Sequence, residues 1–252
     1  MSKSPPRTDI HVEESPPAVA ADAAEMFVLL AQQSVMMAKP FRVALSGGST
    51  PRLLYGLITS DTFRHEVPWD NLRFFFGDER WVPHTHRESN FKLANDLLFS
   101  KVGTKPENIF SIPTEGISPE EAAAQYADTL RTEFNLTEGE IPEFDLILLG
   151  MGDDGHTASL FPGTDALDEH NKLVAATYVD KLAAHRITLT APVLRAAKEV
   201  ILMVVGDSKG PACEQVLQGP LNVNEYPAQL LRQAKGRVTW YVDRAAAAKL
   251  ST

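Results

Sequence analysis

The chain has 252 residues, 44% of them hydrophobic and 23% charged, with a formal net charge of −9. These are the proportions of a folded globular protein, and the acidic balance argues against nucleic acid, whose phosphates need a basic face. An anionic small molecule would have to be held by a local cluster of cations and amides, because the overall field opposes it.

The first residues, "MSKSPPRTDIHVEESPPA", lack the basic-then-apolar layout of a secretory signal. Residues 1–17 are expected to form a loose lead-in with at most one edge strand, and residues 18–252 a single domain. Pro17 to Ala38 reads as a helix. The apolar run at 41–45 stops at Ser46-Gly47-Gly48, and a helical pattern begins after Thr50-Pro51. Thr50 is a good N-cap, and proline suits the first helical position because its missing N–H has no partner there anyway. "LRFFFGDER" at 72–80 predicts a buried strand ending in a polar turn. "ESNFKLANDLLFS" is helical, as is "SPEEAAAQYADTLRTEF", where Ser118 and Glu121 have capping-box spacing.

"FDLILLG" at 144–150 is the next strand, and "RITLT" at 186–190 is short and β-branched. "APVLRAAK" looks helical, "VILMVVG" at 200–206 is a strand, and "SKGPACEQVLQ" is a helix. That helix carries Cys213, which is the only cysteine and so excludes an intrachain disulfide. Its solitude fits a reducing, cytoplasmic compartment. "RVTWYVD" at 237–243 closes the series, with a short Ala-rich helix after it. No apolar stretch approaches the ~20 residues of a membrane helix.

Apolar strands alternating with amphipathic helices predict an α/β fold, a single three-layer α/β/α domain around a mostly parallel sheet. In such sheets ligands bind at the carboxyl ends of the strands. The unusual residues fall on those turns: SGGST at 46–50, GDER at 77–80, GDDGHT at 152–157 and GDSKG at 206–210.

The SGGST turn has neither the Gly-Lys-Ser/Thr of a phosphate loop nor a dinucleotide fingerprint. Gly47, Gly48, Ser49 and Thr50 offer unhindered amides and hydroxyls at a helix start, which suits an anion, or they form an ordinary capped turn. Asp78 and Arg80 either mark the chain surfacing or face a ligand, where the planar guanidinium suits a phosphate. His84 and His86 have no cysteine or third ligand nearby and read as a solvated loop rather than a metal site. In the GDDGHT turn, His156 is expected near the start of a following helix. Imidazole takes up a proton near neutral pH, and either Asp153 or Asp154 can hold its ring; Asp154 is carried forward with His156 as the catalytic candidate. Lys209 sits on a strand-to-helix turn, and Arg186 is a second, weaker cation.

Taken together, "ALSGGSTP", "FFFGDERWVP", "FDLILLGMGDDGHTASLFPG", "RITLTAPVL" and "GDSKG" resemble the 6-phosphogluconolactonase family, within the glucosamine-6-phosphate isomerase/6-phosphogluconolactonase grouping. The resemblance implies a fold related to glucosamine-6-phosphate deaminase and ribose-5-phosphate isomerase. It implies hydrolysis of 6-phospho-D-glucono-1,5-lactone in the oxidative pentose phosphate pathway, with no cofactor and no metal. His156 then matches a general base, and Asp78, Arg80, Arg186 and Lys209 match substrate positions. The SGGST turn matches a sugar-phosphate loop. The expected partner is the small-molecule lactone, with no nucleic acid and no membrane, and the chain is expected to be a monomer or homodimer.

Two other readings differ in class. A glucosamine-6-phosphate deaminase-like isomerase has an acid soon after the histidine, where this chain has "GHTASLFPG". A non-catalytic sugar-phosphate-binding domain of a regulator needs a basic DNA-binding module, and residues 1–40 hold only Lys3, Arg7 and Lys39 as cations. Ser49 and Ser159 lack the G-x-S-x-G elbow of a nucleophile, so direct water attack is the expected chemistry.

Overall fold

A computed structural model describes residues 8–251. In chain order the elements are β1 (Thr8–Glu13), α1 (Pro16–Met36), β2 (Phe41–Leu45), α2 (Ser49–Ile58), β3 (Leu72–Phe76), β4 (Asp78–Arg80), α3 (Asn90–Ala94), α4 (Ser100–Val102), α5 (Pro119–Phe134), β5 (Leu146–Gly150), β6 (Val174–Val179), β7 (Ala184–Leu189), α6 (Ala191–Ala196), β8 (Glu199–Val204), α7 (Gly210–Leu217) and β9 (Arg237–Asp243). Six strands form one sheet in the order β1-β9-β8-β5-β2-β3, and every pairing in it is parallel.

The strands of this sheet are apolar because both faces are covered. Along β3 the side chains alternate between faces. Phe74 and Phe76 meet Phe99 at 5.2 and 6.4 Å between ring centroids. Phe75, pointing the other way, meets Phe110, Phe134 and Phe144 at 4.6, 5.5 and 5.4 Å. Two buried tyrosines tie helices to strand ends. The Tyr55 hydroxyl of α2 donates to the Ser46 carbonyl (2.6 Å) and accepts from the Ser46 amide. The Tyr126 hydroxyl of α5 does the same for Phe76.

From β2 the chain moves outward to β3 and then returns to the other side of β2 as β5. The sheet order therefore reverses between β2 and β5, and a crevice opens above their carboxyl ends. A second, antiparallel sheet of order β4-β7-β6 roofs this end. The sequence pattern does not predict this sheet, because GDER has the composition of a turn. Gly77 is where the chain leaves one sheet for the other. Its amide donates to Leu45 of the main sheet, and its carbonyl accepts from Leu189 of the second, both at 2.8 Å.

Two further expectations are corrected, the start of α2 and the Ala-rich stretch after β9. Helix α2 begins at Ser49 behind an N-cap at Gly48, so Thr50 lies inside the first turn and is buried. Gly48 has φ +107, a conformation side chains disfavour, and that rotation lets the helix begin earlier. The one edge strand allowed for in the lead-in forms as β1 beside β9, and α1 starts at Pro16; the part before Thr8 lies outside the described residues. The Ala-rich stretch after β9 forms turns rather than a helix. Between α3 and α4 the helical hydrogen bonds widen to a π turn over Asn95–Phe99. Among the described residues, no helix is long and apolar enough to cross a membrane.

The capping box on α5 forms as its spacing predicts, with the Ser118 hydroxyl accepting from the Glu121 amide and the Glu121 carboxylate accepting from the Ser118 amide. Ser118→Ala should cost about 1 kcal/mol and lower the melting temperature by about 2–4 °C, read from a thermal unfolding curve.

Candidate active site

A cleft of about 270 Å³ lies over the switch point. Its floor is the Ser46–Pro51 turn after β2 and the Gly150–Gly152 turn after β5. Asp78 and Arg80 come from β4, Met203 and Val205 from the end of β8, Lys209 from the following 3-10 turn, and His156 with Ala158 from the loop after β5. Of the residues singled out in the sequence, Gly47, Gly48, Ser49, Thr50, Asp78, Arg80, His156 and Lys209 all line this one cleft.

The GDDGHT stretch does not lead into a helix. It closes on itself: the Gly152 amide donates to the His156 carbonyl at 2.8 Å, and the Gly155 amide to the Gly152 carbonyl at 3.2 Å. Thr157 is buried and donates its hydroxyl to the Gly150 carbonyl at 2.9 Å, fastening the loop to β5. The choice between the two aspartates is settled geometrically. Asp153 is exposed, whereas Asp154 Oδ1 faces His156 Nδ1 at 2.5 Å and accepts from the His156 amide at 3.1 Å.

This contact leaves Nε2 as the ring nitrogen available to a ligand in the cleft. Phe161 stacks on the imidazole with centroids 3.9 Å apart. Below the ring, a Cβ on Gly152 would stand 2.0 Å from His156 Nδ1, so only glycine fits there. Burial would by itself raise the Asp154 carboxyl, but hydrogen bonds from His156 and Lys181 outweigh it and hold the group well below the usual carboxylate range. The residue that faces the imidazole is thus a carboxylate throughout the neutral range.

Asp78 lines the cleft, yet both its carboxylate oxygens have protein partners. Oδ2 accepts from the Ser159 hydroxyl at 2.6 Å, and Oδ1 from Asn90 Nδ2 at 3.1 Å. Ser159 is buried and engaged in that bond rather than facing the cleft. Glu79, pointing the other way along β4, is also buried. It accepts from the amides of Arg80, Asn90 and Phe91 at 2.8, 2.7 and 2.8 Å, and from the Ser89 hydroxyl at 3.0 Å. Burial pushes its carboxyl up and these amides partly offset the rise. The pair secures the start of α3 and the loop after β5 to the same short strand.

Arg80 donates to the Glu88 carbonyl at 2.9 Å. Arg186 stands directly opposite Arg80 in the β4–β7 register but does not line the cleft. Burial, and then the charge of Arg80, lower its guanidinium from the ordinary value. Among the described residues, no group of three or more His, Cys, Asp and Glu side chains could hold a metal ion. His84 is anchored rather than solvated, with Nε2 2.8 Å from the Ile112 carbonyl and its ring stacked on Phe91, while His86 is exposed.

Sequence reasoning missed several contributors. Ser46 lines the cleft and is buried, and its Oγ has no hydrogen-bond partner within the protein. It opens the SGGST turn, where Gly47, Gly48, Ser49 and Thr50 are the expected ligands, and its own hydroxyl has no separate local signal. Asn90, Phe161 and Lys181 act through contacts between distant segments, for which no local pattern exists.

Among curated proteins, the chain is 43% identical over 211 residues to the 6-phosphogluconolactonase of a Nostoc species, covering 84% of this chain and 85% of that one. It is 35% identical over 225 residues to the 6-phosphogluconolactonase of Haemophilus influenzae, covering 88% and 91%. The solved structure of 6-phosphogluconolactonase from Trypanosoma cruzi superposes with a TM-score of 0.86 at 30% identity, covering 100% and 99% of the two chains. A monomeric glucosamine-6-phosphate deaminase shares the fold, with a TM-score of 0.80 at 20% identity. A family model described as glucosamine-6-phosphate isomerases/6-phosphogluconolactonase matches residues 14–240, and the chain belongs to that family.

Proposed function

We propose that the chain hydrolyses 6-phospho-D-glucono-1,5-lactone to 6-phosphogluconate, with His156 as general base for attack by water. The observation that carries this reading is the Asp154–His156 pair at the rim of a cleft that also holds Arg80, Lys209 and the amides of the SGGST turn. The relatives that share more than four-fifths of the chain bear the corresponding name.

A lactone is an activated ester, so the reaction needs a base, a site for the developing oxyanion and a grip on the phosphate. Asp154 holds the proton on Nδ1, which leaves the Nε2 lone pair free to receive one. Water attacks the carbonyl carbon while Nε2 takes its proton, and the tetrahedral oxyanion forms. When that oxyanion collapses, the bond to the ring oxygen breaks and the imidazolium returns the proton to the departing oxygen. The product carboxylic acid then ionises in solution, so each turnover releases one proton. Free amides of the glycine turns are suited to the oxyanion, and Arg80 and Lys209 to the phosphate. Concentrating cations in one cleft answers the unfavourable net charge of −9.

Freshly prepared lactone should be consumed by the purified protein faster than it hydrolyses spontaneously, as followed by proton release. Glucosamine 6-phosphate, tested in parallel, should be left unchanged; its deamination would instead favour the isomerase side of the family. His156→Ala should lower kcat by roughly 10²–10⁴-fold with the fold intact by circular dichroism, and undiminished turnover would reject it as the base. Gly152→Ala should displace the same ring and reduce kcat without raising KM, because the intruding Cβ lies under the imidazole rather than in the phosphate grip. Arg80→Ala should mainly raise KM, and a loss confined to kcat would contradict a phosphate role.

A further inference from the structure

Lys181 lies in the 3-10 turn Asp180–Leu182, which connects β6 to β7 in the second sheet. Its ammonium donates to Asp154 Oδ2, while Oδ1 of the same carboxylate faces His156. One carboxylate is therefore shared between an imidazole at the end of the parallel sheet and an ammonium from the antiparallel one. A single aromatic ring joins the two. Phe161 stacks on His156, and Lys181 Nζ lies 5.0 Å from the centre of that ring. Lys181 is not among the residues lining the cleft, so its position is explained by Asp154 rather than by contact with substrate.

A carboxylate bonded through one oxygen can rotate about its Cβ–Cγ bond; bonded through both, it keeps Oδ1 on the imidazole. We propose that Lys181 is a positioning residue for the hydrolysis, fixing Asp154 so that His156 faces the cleft. This rests on the reading of His156 as the base.

The other charged groups around the pair are Asp153 on the same turn, Asp180 beside Lys181, and Asp78, Arg80 and Lys209 on the remaining walls of the cleft. Tyr226 packs against Gly155. All of these are unchanged in a Lys181 variant. The Lys181 side chain is 48% exposed, so solvent screens its charge and the expected electrostatic effect is modest.

The test uses the full chain with Lys181→Met and Lys181→Arg, and thermal unfolding as the control for folding. In Lys181→Met, kcat should fall roughly tenfold through loss of alignment, with KM for the lactone held within about twofold. Lys181→Arg keeps the cation and should restore kcat. A raised KM in Lys181→Met would make Lys181 a substrate contact and overturn the proposal, and so would an unchanged kcat. Failure of the base assignment would be seen separately, as turnover that survives His156→Ala.

Discussion

The candidate active site depends on one carboxylate. Asp154 accepts from both the backbone amide and the ring of His156, so a single group shapes the turn and aims the imidazole. Few other arrangements could hold a ring so near a backbone reversal, and this one requires Gly152 beneath it, where any Cβ would collide. Loop geometry and the orientation of the imidazole are thus fixed by the same interaction. The Asp154 carboxyl stays ionised despite partial burial because two hydrogen-bonded cationic or potentially cationic partners outweigh the loss of solvent.

Around that pair, the walls are built by polar groups that satisfy one another. Asp78 binds Ser159 from the loop after β5 and Asn90 from α3, and Glu79 collects the neighbouring Arg80 amide together with two amides and a hydroxyl at the start of α3. Buried carboxylates are costly unless every oxygen is engaged, and here each is. The alternation of β4 sends Asp78 and Arg80 to the cleft side and Glu79 to the opposite side, which is the period-2 geometry of a strand. Against these occupied groups, the unpartnered hydroxyl of Ser46 is exceptional. A buried polar atom without a protein partner, placed on a cleft wall, is suited to bind a polar ligand.

The second sheet gives the cleft its roof and its asymmetry. Because Gly77 hydrogen-bonds to both sheets, the chain passes from β3 to β4 without an intervening loop. Arg80 is brought over the crevice by that passage, while Arg186, one strand away, is held outside it. Burial, and then the like charge of Arg80 across the register pair, lower the Arg186 guanidinium. The family's description names both isomerases and 6-phosphogluconolactonase, so the fold by itself does not separate the two chemistries. In this chain the residues after the histidine are Thr157, bonded to Gly150, and Ala158, a neutral wall of the cleft.

Much of this was legible in the linear sequence. Apolar runs at 146–150 and 200–204, and one at 41–45 broken only by Arg42, fit strands buried on both faces, and the turns that end them carry every cleft residue singled out except Asp78 and Arg80, which belong to β4. The capping box at Ser118 and Glu121 was equally readable, since it is local. The antiparallel sheet was not, because a three-residue strand has no periodicity and "GDER" has the composition of a turn; its identity comes from pairing with residues about a hundred positions later. Nor could the sequence separate Asp153 from Asp154, whose difference lies in the fold of the turn, which leaves Asp153 exposed and sets Asp154, half-buried, against the imidazole. Local chemistry, set by residue type and spacing, was determined by the sequence alone. Which oxygen meets which nitrogen was decided only when strands far apart in the chain were brought within hydrogen-bonding distance.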